Sequence, residues 1–103
     1  MTLYQSMHEL VGNTPLVHLT NMGLPDGVNV YAKLELYNPT GSVKDRTGEY
    51  MVRDAEEKGL LKKGGTIVEA TAGNMGLGLA MAAMGHGYRI IFVVPTKFSE
   101  EKL

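Results

Sequence analysis

The sequence predicts an α/β fold, a partial parallel sheet with helices packed on it. Three observations carry that prediction. Three apolar extended runs, "VNVYAKLELY", "TIVEAT" and "YRIIFVVP", alternate with two segments of helical character that open at "SVKDR" and "AGNMGLGLA". Glycine-rich turns stand at the hand-over points, "KKGG" before the second run and "AGNMG" after it. The order strand, helix, strand, helix, strand is the one that right-handed crossovers on a parallel sheet require.

Taken in order, "MHELVGNTPLVHL" reads as a short helical turn, a stop at Gly12-Asn13-Thr14-Pro15, and an extended run over 16–19. "LPDG" makes a turn. "VNVYAKLELY" alternates as a half-buried strand with Val28, Val30, Ala32 and Leu34 on one face. Ser42 is placed as an N-cap with Asp45 in the capping-box position, and the helix that follows runs to about Gly59. Its apolar stripe is Gly48, Met51, Val52 and Ala55, with Arg46, Glu49, Arg53, Glu56 and Glu57 largely elsewhere. "TIVEAT" is β-branched and reads as a strand buried in a parallel sheet. In the next helix Met81 and Met84, with Leu77, form a core stripe. "YRIIFVVP", stopped by Pro95, reads as a fully buried strand. Ser99 opens a further helix that ends before it could return over that strand, so an uncovered apolar face or open edge is expected.

At 103 residues the chain is expected to be a single incomplete domain spanning 1–103, short for a whole α/β enzyme. A formal charge of −1, with Lys and Glu interspersed, offers no field for nucleic acid or an anionic membrane surface. The absence of cysteine excludes disulfides, thiolate zinc sites and cysteine nucleophiles. No apolar run has the length of a membrane span, and the first residues lack signal-peptide character, so the cytoplasm is the expected compartment. His8, His18 and His86 are scattered without ligand spacing and read as surface or loop residues, and no metal is expected.

Two stretches carry candidate chemistry. In "NPTGSVKDR" Lys44 falls in the first turn of a helix, where the unpaired N–H groups disfavour a cation. It lies on or beside the apolar stripe. Either its stem covers apolar surface while the amine reaches water, or the amine is partly desolvated and acts as a nucleophile toward an aldehyde. Gly48, one turn on, would leave space above it for a flat ring. In "EATAGNMGLGLA" Gly73, Gly76 and Gly78 mark a strand-to-helix hand-over whose N–H groups suit a carboxylate or phosphate. The alternative is a tight turn with glycines for close packing. A dinucleotide site is excluded, because the order is G-x-x-G-x-G and "VVPTK" has no acid for a ribose. No P-loop and no G-x-S-x-G elbow is present.

A lysine of this kind and an anion loop, joined by a short connection, would together serve an aldehyde cofactor and an amino-acid carboxylate. "NPTGSVKDR" and "EATAGNMGLGLA" resemble the cofactor-lysine and substrate-loop motifs of pyridoxal-phosphate enzymes of the tryptophan-synthase-β type (fold type II), specifically cysteine synthases and cystathionine β-synthases. "HELVGNTPLVHL" and "VPTKFSEEK" are similar to the same group. The resemblance implies the N-terminal portion of a three-layer α/β/α enzyme that binds pyridoxal 5′-phosphate and acts as a homo-oligomer, a dimer, on a small amino acid. It puts the Schiff-base lysine at Lys44, the contact to the cofactor's ring hydroxyl at Asn74, and the substrate-carboxylate loop at Thr71, Ala72, Gly73, Asn74 and Met75. Ala72 and Met75 lack the hydroxyls common in the group, which implies a loss of about 1 kcal/mol of substrate binding for each. Members are roughly three times this length, and the remainder supplies the phosphate cup and the partner of the pyridine nitrogen. The implied reaction is β-replacement on serine or O-acetylserine by a thiol or sulfide. Two other readings stay open, a non-catalytic fragment and an anion-binding α/β module without covalent chemistry.

Overall fold

The computed structural model describes residues 1–71 and 73–97. A 3₁₀ turn, Met7–Leu10, precedes β1 (Leu16–His18) and β2 (Tyr31–Lys33), and a second 3₁₀ turn, Glu35–Tyr37, leads to α1 (Lys44–Glu57). Then come β3 (Thr66–Ala70), α2 (Asn74–Ala83) and β4 (Arg89–Val93). The expected Ser99 cap lies outside the described residues.

The α/β class holds, but the first extended run does not join the parallel sheet. β1 and β2 form an antiparallel pair in the register Val17 to Ala32, while β3 and β4 form a separate parallel pair in the register Val68 to Ile91. Pairing with the neighbouring segment closes a shorter loop, and it is extended by Leu19 N–H to the Val30 carbonyl (2.9 Å) and Leu34 N–H to the Pro15 carbonyl (2.9 Å). "VNVYAKLELY" is therefore a strand only over Tyr31–Lys33, and Val28 is exposed. The strand stops where the Glu35 carboxylate is drawn toward Asn38 and Arg46, which curls the chain into its 3₁₀ turn.

The helices meet each other more closely than they meet the sheets. The core is Val52 from α1 with Leu79, Met81, Ala82 and Ala83 from α2, and Leu61, Ile67, Met75 and Tyr88 pack on the central Val52–Leu79–Ala82 cluster. Within the expected stripe of α1, Gly48 and Val52 are buried, whereas Met51 is exposed. In α2 the expected stripe is corrected: Met81 is buried, but Leu77 and Met84 are exposed. That helix is apolar on every side, so periodicity could not choose its inner face, and the crossing with α1 does.

Both helices lie on the Ile67 side of β3, so Val68 on the other side is 60% exposed and β3 is not buried on both faces. β4 is likewise mostly exposed, as are Leu16 and Val17 of β1. The radius of gyration is 17.3 Å, against about 13 Å for a compact domain of about 100 residues. Only one of the expected helical layers is present among the described residues. None of their helices is long and apolar enough to cross a membrane.

His18 and His86 are exposed as expected, but His8 is corrected. His8 lies between elements, its Nδ1 2.9 Å from a Glu49 carboxylate oxygen and its Nε2 2.9 Å from the Met84 carbonyl. Both neighbours only accept, so the geometry fits an imidazolium that donates from both nitrogens. The hydrogen bond to Glu49 raises the His8 pKa; burial opposes it, and the Met84 carbonyl and the Glu49 and Glu56 charges add to the rise. His86 sits edge-on to His8 with ring centroids 5.2 Å apart. A raised pKa means stabilisation that is complete below about pH 6.5, the unfolded value, and is lost as pH rises through the folded value. Urea unfolding should therefore show lower stability at pH 8.5 than at pH 6. His8→Ala should cost about 1–2 kcal/mol at the lower pH and much less at the higher. A wild-type profile that rises from pH 6 to 8.5, or that His8→Ala leaves unchanged, would refute this role for His8.

Candidate active site

The loop before α1 is held by its own polar groups. Asn38, 3% exposed, accepts the Gly12 N–H at 2.7 Å and donates to the Glu35 carbonyl (3.0 Å) and carboxylate (2.6 Å). Arg46 binds both Glu35 oxygens through Nε (3.1 and 3.0 Å) and donates from Nη2 to Thr14 Oγ1 (3.1 Å). The Arg46 guanidinium holds the Glu35 carboxyl below its usual range; desolvation works against this, and Asn38 and Lys33 assist. The turn over 12–14 and the start of α1 are thereby tied together.

The expected capping box is corrected. α1 begins at Lys44, and Ser42 Oγ accepts the Lys44 N–H at 3.1 Å. Asp45 turns instead to Thr40, accepting its N–H at 2.7 Å and its hydroxyl. Asp45 is thus buried. Lys44 itself is exposed, not buried: as the first residue of α1 it sets its backbone against Gly78, while its side chain stays outside the core. Its amine has no hydrogen bond or ion pair among the described residues.

The second half of the site is the β3–α2 turn. Gly73 is the extended N-cap of α2, with its N–H on Thr71 Oγ1 at 3.2 Å and its carbonyl accepting from Gly76 (3.1 Å) and Leu77 (3.4 Å). That leaves the N–H groups of Asn74 and Met75 without a protein acceptor among the described residues, directed as a helix start directs them toward an anion. The Asn74 side chain is exposed and equally unpartnered. Met75 is half-buried, its side chain packed on the Val52–Leu79–Ala82 core. Ala72 lies outside the described residues.

The two halves are brought together by a pair of glycines. A Cβ built on Gly48 would collide with the Gly78 carbonyl and stand 2.8 Å from Leu79 N. One built on Gly78 would collide with the Lys44 carbonyl and stand 3.1 Å from Asp45 N. Gly48 does not leave room for a ring, then; it leaves room for the backbone of α2. The contact sets Lys44 against a residue one helical turn, about 6 Å along the axis, from Asn74. The sequence reading missed this role of Gly48 and Gly78, although two glycines inside otherwise good helices, each costing about 1 kcal/mol against alanine, are a signal of close approach. It also missed Asn38, Glu35 and Thr14, whose partners lie far along the chain.

A family model described as "Pyridoxal-phosphate dependent enzyme" matches residues 7–103. The chain belongs to that family. It is 55% identical over 102 residues to an O-acetylserine dependent cystathionine beta-synthase of Bacillus subtilis, covering 99% of this chain and 33% of that one. It is 50% identical to cysteine synthase 1 of Emericella nidulans, covering 92% and 26% respectively. Among solved structures, cystathionine beta-synthase from Bacillus anthracis superposes with a TM-score of 0.79 at 58% identity, over 99% of this chain and 38% of that one. The chain thus spans about a quarter to two-fifths of the length of these relatives.

Pyridoxal phosphate, the cofactor of this family of fold type II enzymes, presents an aldehyde, a ring hydroxyl and a phosphate. The residues present fit two of the three. The Lys44 amine and the Asn74 amide are unengaged among the described residues, groups of the kind an aldehyde and a ring hydroxyl would take. One anion cradle, the start of α2, is formed among the described residues, with open space beside Gly73, where a Cβ would meet no atom within 4 Å.

The packing of Met75 fixes the sign of one mutation. Met75→Thr exchanges core contact for a hydroxyl, and should lower unfolding stability by about 1–2 kcal/mol; if the turn holds a carboxylate, amino-acid affinity should stay within about twofold, because the N–H rather than the side chain would meet it. Denaturant titration and calorimetric titration with O-acetylserine measure the two quantities. Unchanged stability with tighter binding would show that the side chain at 75 points to the ligand after all.

Proposed function

We propose that the intact protein catalyses β-replacement on serine or O-acetylserine with a thiol or sulfide, giving cystathionine or cysteine. The single observation that carries this reading is Lys44, its amine unpartnered among the described residues and its backbone packed against Gly78, about one turn from the open N-terminus of α2. The name of the Bacillus subtilis relative supports O-acetylserine as the donor.

In this reading Lys44 and Asn74 hold the cofactor, and Thr71, Gly73, Asn74 and Met75, with Ala72, form the substrate loop. When bound, pyridoxal phosphate supplies the electron sink that makes the α-proton of an amino acid removable. The N–H groups of Asn74 and Met75 hold the substrate carboxylate, where the helix dipole favours a negative charge. Lys44 would hold the cofactor's aldehyde and, with its amine released, would be the base for the α-proton of the bound amino acid. The Asn74 amide would hold the cofactor's ring hydroxyl.

The experiment is to supply the intact protein with pyridoxal phosphate and O-acetylserine and to offer sulfide and homocysteine in separate assays. Formation of cysteine or cystathionine is expected. No product with either acceptor, in a protein that binds the cofactor, would overturn the reading. The exposed faces of β1, β3 and β4 favour a second statement: residues 1–103 purified alone should give no turnover.

A further inference from the structure

We propose that Asp45 is a positioning residue, which with Thr40 clasps the loop before Lys44 and fixes the direction in which the lysine leaves α1. Asp45 is 0% exposed. A carboxylate taken wholly out of water is costly unless both oxygens are bonded, and here Thr40 satisfies both, one from its N–H at 2.7 Å and the other from its hydroxyl. Capping a helix does not require this, since a serine, threonine or aspartate at the cap does so at the surface.

What the clasp does accomplish is to close the chain over 40–45. Inside it Gly41 takes a φ of 91° and donates its N–H to the Asn38 carbonyl at 2.8 Å, and Ser42 Oγ receives the Lys44 N–H at 3.1 Å. On the far side the Lys44 carbonyl abuts Gly78. The backbone of Lys44 is thus held before and behind while its side chain is left free. The Asn38, Glu35 and Arg46 bonds to Gly12 and Thr14 anchor the base of the clasp. Asp45 acts through this geometry and touches no reacting atom.

Asp45 has this role only if Lys44 is the aldehyde-reactive amine, and one experiment separates the two claims. The intact protein is exposed to pyridoxal phosphate, trapped with borohydride, and peptide-mapped for the ratio of label on Lys44 to the label on Lys33, Lys58, Lys62 and Lys63. Wild type should favour Lys44; if it does not, the reading of Lys44 fails and this proposal with it. Asp45→Asn keeps the size but replaces one acceptor by a donor, and should reduce the preference about tenfold while circular dichroism shows a folded protein. Thr40→Val should reduce it about threefold, and it decides the matter if Asp45→Asn does not fold. Val52→Ala, which loosens the core two turns away, should lower the unfolding midpoint without changing the ratio. A folded Asp45→Asn or Thr40→Val that labels like wild type, or a Val52→Ala that loses the preference equally, overturns the proposal.

Discussion

Lys44→Ala in the intact protein is expected to lower turnover by about 10²- to 10⁴-fold, the range associated with removing a positioned base, and to abolish covalent capture of the cofactor at this helix. The reason is specific to the site. Lys33 stands 3.6 Å from Glu35 and Lys58 2.9 Å from Asp54, so those amines are engaged by carboxylates; the Lys44 amine, like those of Lys62 and Lys63, has no partner among the described residues, and of these three only Lys44 sets its backbone against Gly78 of α2. Borohydride reduction with pyridoxal phosphate, followed by peptide mapping, should place the adduct on Lys44 ahead of Lys33, Lys58, Lys62, Lys63, Lys97 and Lys102. Labelling spread evenly over the exposed lysines, or a Lys44→Ala protein that retains near-wild-type turnover, would end this assignment.

Gly78→Ala is the second large effect. Glycine to alanine inside a helix ordinarily stabilises by about 1 kcal/mol. Here the added methyl has no space, because the Lys44 carbonyl occupies its position and Asp45 N lies 3.1 Å away, both backbone atoms that cannot rotate aside. Overpacking costs typically about 1–3 kcal/mol where side chains can adjust and more against main chain, so the net expectation is destabilisation by about 2 kcal/mol or more. Relief comes only from moving α1 away from α2. That carries Lys44 off the loop, and a displacement of about 1 Å can cost about 100-fold in rate. Denaturant unfolding measures the first effect, and turnover per folded molecule measures the second. A Gly78→Ala protein more stable than wild type would show that the helices do not cross here.

The sequence by itself determined the local features: where α1 and α2 run, where the turns at "LPDG" and "KKGG" fall, and the two contiguous motifs at 38–46 and 71–78. Each of these is written in neighbouring residues, through periodicity, turn chemistry and the spacing of glycines. The tertiary structure alone decided which face of α2 is inside, because a helix apolar on all sides carries no directional signal until another surface is pressed against it. It decided that β2 pairs with β1, that Asp45 answers Thr40, and that Gly12 answers the buried Asn38. It also decided that His8 bridges Glu49 and Met84, residues far apart along the chain. A hydrogen bond or a close helix crossing depends on two positions at once, and residue type at one of them does not name the other. That is why the candidate lysine could be singled out from a short motif, whereas what holds its backbone in place could be seen only once α1 and α2 were in contact.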